Sequence, residues 1–365
     1  MKFRCERDVL ADAFGSAARA VASRSALPVL SGVRLVLAGE DLRLTGSDLD
    51  LTIDVSATVA RGDDGTCVLP ARLVGDILKA VEPGAVSISV DGDQAQITAG
   101  RSVFNVRTLP AEDFPRIGDV TPGSEGFKLE AAQLTDALKQ VIPAASHDDA
   151  RPILTGVLMA AEAGGLRLVA TDSYRLAVRD LPGQSGLAEG QTVLVPGRAL
   201  GELARLLGSS GEATLHLGQR EAAFEVGGTR LTTRLIEGQY PPYRNLIPQS
   251  LPNKLTVSRA ALLEALRRVK LLAKDATPVR LKVSDSGLEL IAITQDVGQA
   301  TEDVEATFVG TEHQVAFNPD FLLAGVDLAQ GDTVTLETID ALKPALIRSP
   351  ERQDYLYLLM PVRVS

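Results

Sequence analysis

Apolar and polar positions alternate with a period of two in many short runs along the chain. In Leu42-Arg43-Leu44, and again where Leu51, Ile53 and Val55 share one face with Asp54 on the other, the pattern is that of a half-buried strand. Other stretches space their apolar residues at helical intervals, and these predict six helices over 8–24, 70–81, 130–146, 196–208, 258–274 and 319–329. Asp8, Glu130 and Ser258 stand where a polar cap would open three of them. Pro70, Pro196 and Pro319 open the other three, where the first turn has no use for the missing N–H. Strands over 3–5, 126–129 and 254–257 precede the capped helices, so the order strand, helix, sheet, helix, further strands is met three times.

The recurrence extends to residue identities. Pro28-Val29-Leu30-Ser31-Gly32-Val33, Leu42-Arg43-Leu44 and Ser47-Asp48 return as Pro152-Ile153-Leu154-Thr155-Gly156-Val157, Leu166-Arg167-Leu168 and Thr171-Asp172, a constant shift of 124. Val68-Leu69-Pro70-Ala71-Arg72 returns as Leu194-Val195-Pro196-Gly197-Arg198, and Phe114-Pro115 as Tyr240-Pro241, both shifted by 126. A more diverged third copy runs through Thr277-Pro278-Val279, Leu288-Glu289-Leu290 and Phe317-Asn318-Pro319. A period this long, against about 20–50 residues for solenoids, means duplicated domains. The Pro/Gly/Ser-rich stretches 118–126 and 248–253 read as linkers, which places domains at 1–119, 126–248 and 253–365. Each is expected to be an α+β unit with two helices packed on an antiparallel sheet.

Composition narrows the function. With 45% hydrophobic residues the chain can bury large cores, and 365 residues at roughly 150 per domain suit two or three domains. No apolar run reaches bilayer length and the start lacks the basic-then-apolar order of a signal peptide, so a soluble cytoplasmic protein without a membrane partner is expected. Cys5 and Cys67 cannot make a disulfide framework. The net charge of −10 argues against a chain basic all over for nucleic acid, and 4% aromatic residues argue against stacking platforms for single strands.

The average hides an uneven distribution. The six helices hold 12 basic and 9 acidic residues, the remainder 25 and 38. In the fifth helix Arg259, Arg267, Lys270 and Lys274 fall within about 80° of arc at 100° per residue, interrupted by Leu263. Arg72, Lys79, Lys139, Arg198 and Arg205 are the bases of the second, third and fourth helices. A solvated face would give the same pattern in any one helix. Repeated through three copies, it makes a surface suited to phosphates without reading bases.

Catalytic chemistry is not evident. The histidines His147, His216 and His313 are scattered, and only His147-Asp148-Asp149 hints at a metal. There is no phosphate-cradling glycine loop and no nucleophile elbow. Asp48, Asp50 and Asp54 could imitate paired carboxylates of a nuclease, but Asp48 recurs as Asp172, which fits a turn-forming residue better. A non-catalytic protein needing neither metal nor cofactor is expected. Two other features stand out: Tyr174 and Arg175, which have no counterpart after Asp48, and the apolar tail Leu358-Leu359-Met360-Pro361-Val362-Arg363-Val364. The tail reads either as a final edge strand or as a patch that grips short peptides.

Met1-Lys2-Phe3, Leu27-Pro28-Val29-Leu30, the Thr-Asp-x-x-Arg-Leu-Ala-Val pattern of 171–178, Tyr240-Pro241-Pro242-Tyr243 and Met360-Pro361-Val362-Arg363 occur in an order that resembles the bacterial DNA polymerase III beta subunit family, the sliding clamps, over essentially the whole chain. The resemblance implies a head-to-tail homodimer closing a ring round double-stranded DNA, with helices lining the hole, sheets outside, and no sequence preference. The implied partners are the alpha subunit of the replicative polymerase, the clamp loader, and other polymerases and repair proteins. They would dock linear motifs in a cleft at Leu154, Thr171, Ser173, Tyr174, Arg175, Leu176, Pro241, Leu246, Asn318, Phe321, Leu342, Pro344, Leu358, Leu359, Met360, Pro361, Val362 and Arg363. To the helix bases the resemblance adds Arg24 and Arg151 as DNA contacts, and it puts the dimer edge at Phe104, Val106, Leu271 and Leu272. The chain departs from the family at Tyr174, where His is common, at Pro344, where a small polar residue is usual, at Pro152-Ile153, where aromatics are frequent, and at Lys270, a position often apolar. A monomeric scaffold that binds proteins but no DNA is the alternative.

Overall fold

The strand Lys2–Glu6 runs without a turn into helix α1 (Arg7–Ala18), and the backbone N–H of Arg7 is taken by the carbonyl of Gly84 at 2.7 Å. The helix therefore starts with no side-chain cap, and Asp8, expected as the cap, sits inside the first turn. The helix also stops six residues before the expected end. Its last turn abuts Gly46, where a Cβ would lie 1.9 Å from the carbonyl oxygen of Ala17. Only glycine lets the strand Asp41–Ser47 come that close. The other helices are α2 (Ala71–Ala80), α3 (Ala131–Val141), α4 (Gly197–Leu206), α5 (Arg259–Val269) and α6 (Pro319–Leu328). Ser258 caps α5 as expected, accepting from the N–H of Ala261. Pro319 is the first residue of α6, whereas Pro70 and Pro196 end the preceding strands one residue before α2 and α4.

The computed structural model describes residues 1–22, 26–115, 126–162, 164–184, 187–208, 211–273 and 277–363. Among them are six α-helices and four sheets, and every strand pairing is antiparallel. The chain forms two compact units, Met1–Ala132 with Arg198–Leu235, and Gln133–Gly197 with Ile236–Ser365. The second sequence copy is thus divided between them.

In the first unit a five-stranded sheet, in the order Ala60–Asp63, Lys2–Glu6, Ala85–Asp91, Gln94–Ala99, Ser102–Arg107, belongs wholly to the first copy. Its eight-stranded sheet is shared. Thr229–Arg234 of the second copy pairs with Leu51–Thr58 of the first, the fully buried Leu231 facing the fully buried Ile53. Helix α1 lies on this sheet through Leu10, Ala13, Phe14 and Ala17.

The second unit repeats the device. Its nine-stranded sheet joins Arg175–Pro182 of the second copy to Arg352–Leu359 of the third, with Leu176 facing Leu358. A four-stranded sheet holds the rest of the third copy, in the order Gly298–Val304, Gly287–Thr294, Val279–Ser284, His313–Phe317. The α+β layout on antiparallel sheet is as expected, and two of the four sheets run across copies. Helix α5 turns Leu262, Leu263, Ala265, Leu266 and Val269 inward, so Leu263 does not interrupt a solvent-facing stripe.

The triplication is visible in backbone conformation. The hairpins after Ser47, Thr171 and Thr294 each place a non-glycine residue in the left-handed region two positions on: Leu49 at φ 81°, Ser173 at 81° and Asp296 at 63°. No helix of the described residues is long and apolar enough to cross a membrane.

Candidate functional site

The hairpin after Thr171 is held by its own side chains. Asp172 Oδ1 accepts from the N–H groups of Tyr174 (2.9 Å) and Arg175 (3.0 Å), and Oδ2 accepts from Arg175 Nε at 2.9 Å. Thr171 Oγ1 donates to the Arg175 carbonyl at 2.7 Å. Asp48 does the same in the first copy, accepting from Asp50 (3.1 Å) and Leu51 (2.8 Å). Both aspartates are turn formers, and among the described residues no cluster of three metal-ligating side chains occurs.

That hairpin presents Tyr174 to solvent at 60% exposure while its neighbour Arg175 is pulled in. The guanidinium of Arg175 lies 4.2 Å from the centre of the Phe321 ring, and the Tyr174 ring lies 6.4 Å from the same ring, inclined by 31°. Phe321 is held from behind. Asn318 caps α6, its Oδ1 accepting from Asp320 (2.9 Å) and Phe321 (3.2 Å), and the Tyr357 hydroxyl donates to the Phe321 carbonyl at 3.0 Å. Burial pushes the Tyr357 hydroxyl up to about 12, so it stays a neutral donor.

The chain end continues this wall. Met360 N–H donates to the Tyr174 carbonyl and Val362 N–H to the Ala316 carbonyl, both at 2.8 Å, which fastens the tail on either side. Beneath lies an apolar cluster of Leu158, Val169, Leu176, Val178, Leu194, Tyr243, Leu346 and Leu358, packed with Ile153, Tyr240 and Ile247. The expected cleft residues divide accordingly. Leu154, Thr171, Leu176, Leu358 and Leu359 are buried supports; Ser173, Tyr174, Leu246, Leu342, Met360 and Arg363 are exposed; Arg175, Pro241, Asn318, Phe321, Pro344, Pro361 and Val362 are half-buried. Tyr357 and Leu346 support the site but were not singled out from sequence, where they read as ordinary strand residues; Tyr243, quoted there only within the run Tyr240-Pro241-Pro242-Tyr243, supports it too.

The matching place in the first unit is polar. Asp48 is ion-paired with Arg198 and Asp50 with Arg234, where the second unit has Arg175 turned back on Asp172. Thr52 and Thr233 stand there in place of Leu176 and Leu359.

The helix bases also divide. Arg72, Lys79, Lys139 and Arg267 are exposed and free of ion pairs among the described residues. Arg198 pairs with Asp48, Arg205 with Glu202 and Lys270 with Asp320; Arg151 joins Asp148 at 2.9 Å and the Ser173 hydroxyl at 3.3 Å. Arg259 is also spent, on the carbonyls of Val326 (3.3 Å) and Asp327 (2.9 Å) at the end of α6. The α5 stripe thus reduces to Arg267, since Lys274, like Arg24, lies outside the described residues.

Two strands, Ser102–Arg107 and Gly298–Val304, end their sheets with one edge unpaired among the described residues. Leu271 is 73% exposed and Phe104 half-buried, and Val103, Ile293 and Val297 are also exposed. Val106, expected at this edge, lies in the edge strand with its side chain buried, and Leu272 is half-buried with its carbonyl bonded to Thr294.

Family models agree with the threefold layout. The N-terminal, central and C-terminal domains of the DNA polymerase III beta subunit match residues 1–118, 128–242 and 244–363. The chain belongs to this family. It is 36% identical to the beta sliding clamp of Streptomyces coelicolor and 29% identical to that of Bacillus subtilis, each alignment covering the whole of both chains. The fold matches the crystal structure of the Bacillus subtilis sliding clamp with a TM-score of 0.93 at 27% identity, and that of the Pseudomonas aeruginosa sliding clamp bound to griselimycin with 0.93 at 31%, again over the whole of both chains. Its function is that of the family: a sliding clamp that tethers the polymerase and confers processivity.

Proposed function

We propose that two copies of this chain close head to tail into a ring around duplex DNA, and that the ring carries polymerases and repair proteins by short peptides seated at the Tyr174–Phe321–Met360 cleft. One observation carries the ring. Two seams inside the chain use equivalent strand edges, Thr229–Arg234 with Leu51–Thr58 and Arg352–Leu359 with Arg175–Pro182. The remaining equivalents, Ser102–Arg107 and Gly298–Val304, each leave one edge unpaired among the described residues. A second copy supplies a partner for both, with Phe104, Leu271 and Leu272 flanking the joint. A head-to-tail contact of this kind must close or grow into a filament. Two three-domain chains close it.

The ring turns affinity into topology. Once shut, it need not bind DNA tightly, and weak phosphate contacts from Arg72, Lys79, Lys139 and Arg267 allow sliding; Arg24 and Lys274, expected to join them, lie outside the described residues. Arg151, Arg198, Arg205 and Lys270 contribute less, because each is already neutralised. An acidic remainder steers duplex away from the outer surface. Tethering raises the polymerase's concentration at the primer end, and no bond is made or broken by the clamp itself.

An extended peptide with an apolar anchor suits the cleft, because Arg175 fixes the Phe321 ring and the fastened tail adds Met360 and Pro361. The polar counterpart in the first unit supports one such site per chain. Docking of the clamp loader at the same cleft and a cytoplasmic location belong to the same proposal. Sedimentation equilibrium tests it: the expected mass is twice 38.6 kDa, and a monomer at micromolar concentration would refute it.

A further inference from the structure

Four of the six helices carry one charge couple at one level. Asp76 and Lys79 in α2, Asp136 and Lys139 in α3, Glu202 and Arg205 in α4, and Glu264 and Arg267 in α5 are each an acid three residues before a base. The residues between them are turned toward the core: Ile77 and Leu78, Ala137 and Leu138, Leu203, Ala265 and Leu266 are buried. Spacing of three puts acid and base on the same helix face.

Helix stabilisation alone would ask the partners to touch. Only Glu202 and Arg205 do, at 2.5 Å. Lys79, Lys139 and Arg267 make no ion pair among the described residues, and neither do Asp76 and Asp136; Glu264 lies 3.7 Å from Arg268 instead. Other bases of the helix layer are neutralised from different elements, Arg198 by Asp48 and Lys270 by Asp320. Near each of the four bases a carboxylate is therefore kept, whether or not it bridges.

We propose that Asp76, Asp136, Glu202 and Glu264 are built-in counter-charges that hold the DNA-facing helices close to neutral, so that phosphate contacts stay weak enough for the ring to slide. This rests on the ring reading above. Side chains three apart have Cβ atoms about 5–6 Å from each other. That is inside the Debye length of about 8 Å at physiological ionic strength, so salt does not hide the carboxylate from a phosphate at the base. Each phosphate engaged adds roughly 0.9 to the slope of log affinity against log salt, and an unopposed basic lining would accumulate such contacts.

The test uses the full chain carrying D76N, D136N, E202Q and E264Q, alongside the triple variant without E202Q, since Glu202 is largely buried. A control, D41N, D91N, E189Q and D285N, makes the same formal charge change at exposed positions outside the helices. Closed on nicked circular plasmid and washed at graded salt, the helix variants should stay several-fold longer with a salt slope steeper by about one per added phosphate contact. They should also diffuse more slowly along stretched DNA, while the control follows the wild type. Helix variants with the wild-type slope and diffusion would overturn the inference. A wild-type chain that leaves circles and cut plasmid at equal rates would overturn the ring reading instead.

Discussion

Arg175 lies across the ring of Phe321, with 4.2 Å between guanidinium carbon and ring centre, and its Nε is held by Asp172 at 2.9 Å. A hairpin from the second sequence copy thereby fixes an aromatic side chain on a helix of the third. The cleft wall is a joint product of two duplicated domains, which explains why neither copy alone announces it.

Phe321→Ala removes the shared element of that stack and should weaken binding of an apolar-anchored peptide by roughly 2 kcal/mol, about 30-fold in Kd. Asp172→Asn should cost less, because Arg175 keeps its ring contact. Fluorescence anisotropy with a labelled peptide measures both. Equal, negligible losses would remove the stack from the site.

Truncation after Leu359 deletes Met360 and the two backbone bonds to Tyr174 and Ala316, but leaves Leu359, which is fully buried between Ala345 and Arg175 in the sheet. Peptide binding should fall below detection while the thermal midpoint moves by only a few degrees. Removing Leu359 as well should cost about 2–5 kcal/mol of stability.

The seam that carries the cleft contains a buried charge. Arg179, 4% exposed, pairs with Asp354 on the facing strand, and Arg352 also reaches Asp354 at 3.2 Å. Burial opposes ionisation of the Asp354 carboxyl, but hydrogen bonds from Arg179 and Arg352 outweigh it and hold its pKa below the ordinary value. The stabilisation is therefore present above the usual carboxylate range, near pH 4, and is lost as pH falls through the depressed value. Asp354→Ala strands Arg179 and should destabilise by roughly 3 kcal/mol, the lower end for a broken buried pair because Asp354 is partly exposed. Denaturant melts at pH 7 and below pH 4 check the size and the sign.

The two internal seams fix the register of the joint between copies. Leu231 faces Ile53 and Tyr357 faces Ala177, and their counterparts, matched through the hairpin ladders, are Phe104 and Gln299. Ser102 should then face Thr301 of the second copy, within about 4.5–5.5 Å between Cα atoms, a span a disulfide can bridge. The double variant S102C and T301C should cross-link into a covalent dimer on mild oxidation. The offset pair S102C and Q299C should not.

Much of this was legible in the sequence. The constant shift of 124 from Pro28 to Pro152 and from Asp48 to Asp172 reflects turns whose geometry needs those residues, and the structure repeats them down to the left-handed residue after each aspartate. The sharing of sheets was not legible. Pairing of Leu231 with Ile53 joins residues far apart in the chain, and alternation reports a buried face without naming the neighbouring strand. Charge was half legible. Arg72, Lys79, Lys139, Arg198, Arg205 and Arg267 lie on helices as expected, but Lys270 falls just past the end of α5, and the partners that neutralise Arg198 and Lys270 come from other elements, which no local pattern encodes. The end of α1 was missed for a similar reason, since the approach of Gly46 to Ala17 is a tertiary contact.

Enclosure of duplex DNA is what separates a ring from a scaffold that merely binds. Retention of the closed dimer on a nicked circular plasmid, followed before and after a single cut that leaves free ends, tests it directly. Long residence on the circle and rapid loss once ends exist are expected, with little dependence on sequence. Equal residence on both forms would contradict enclosure.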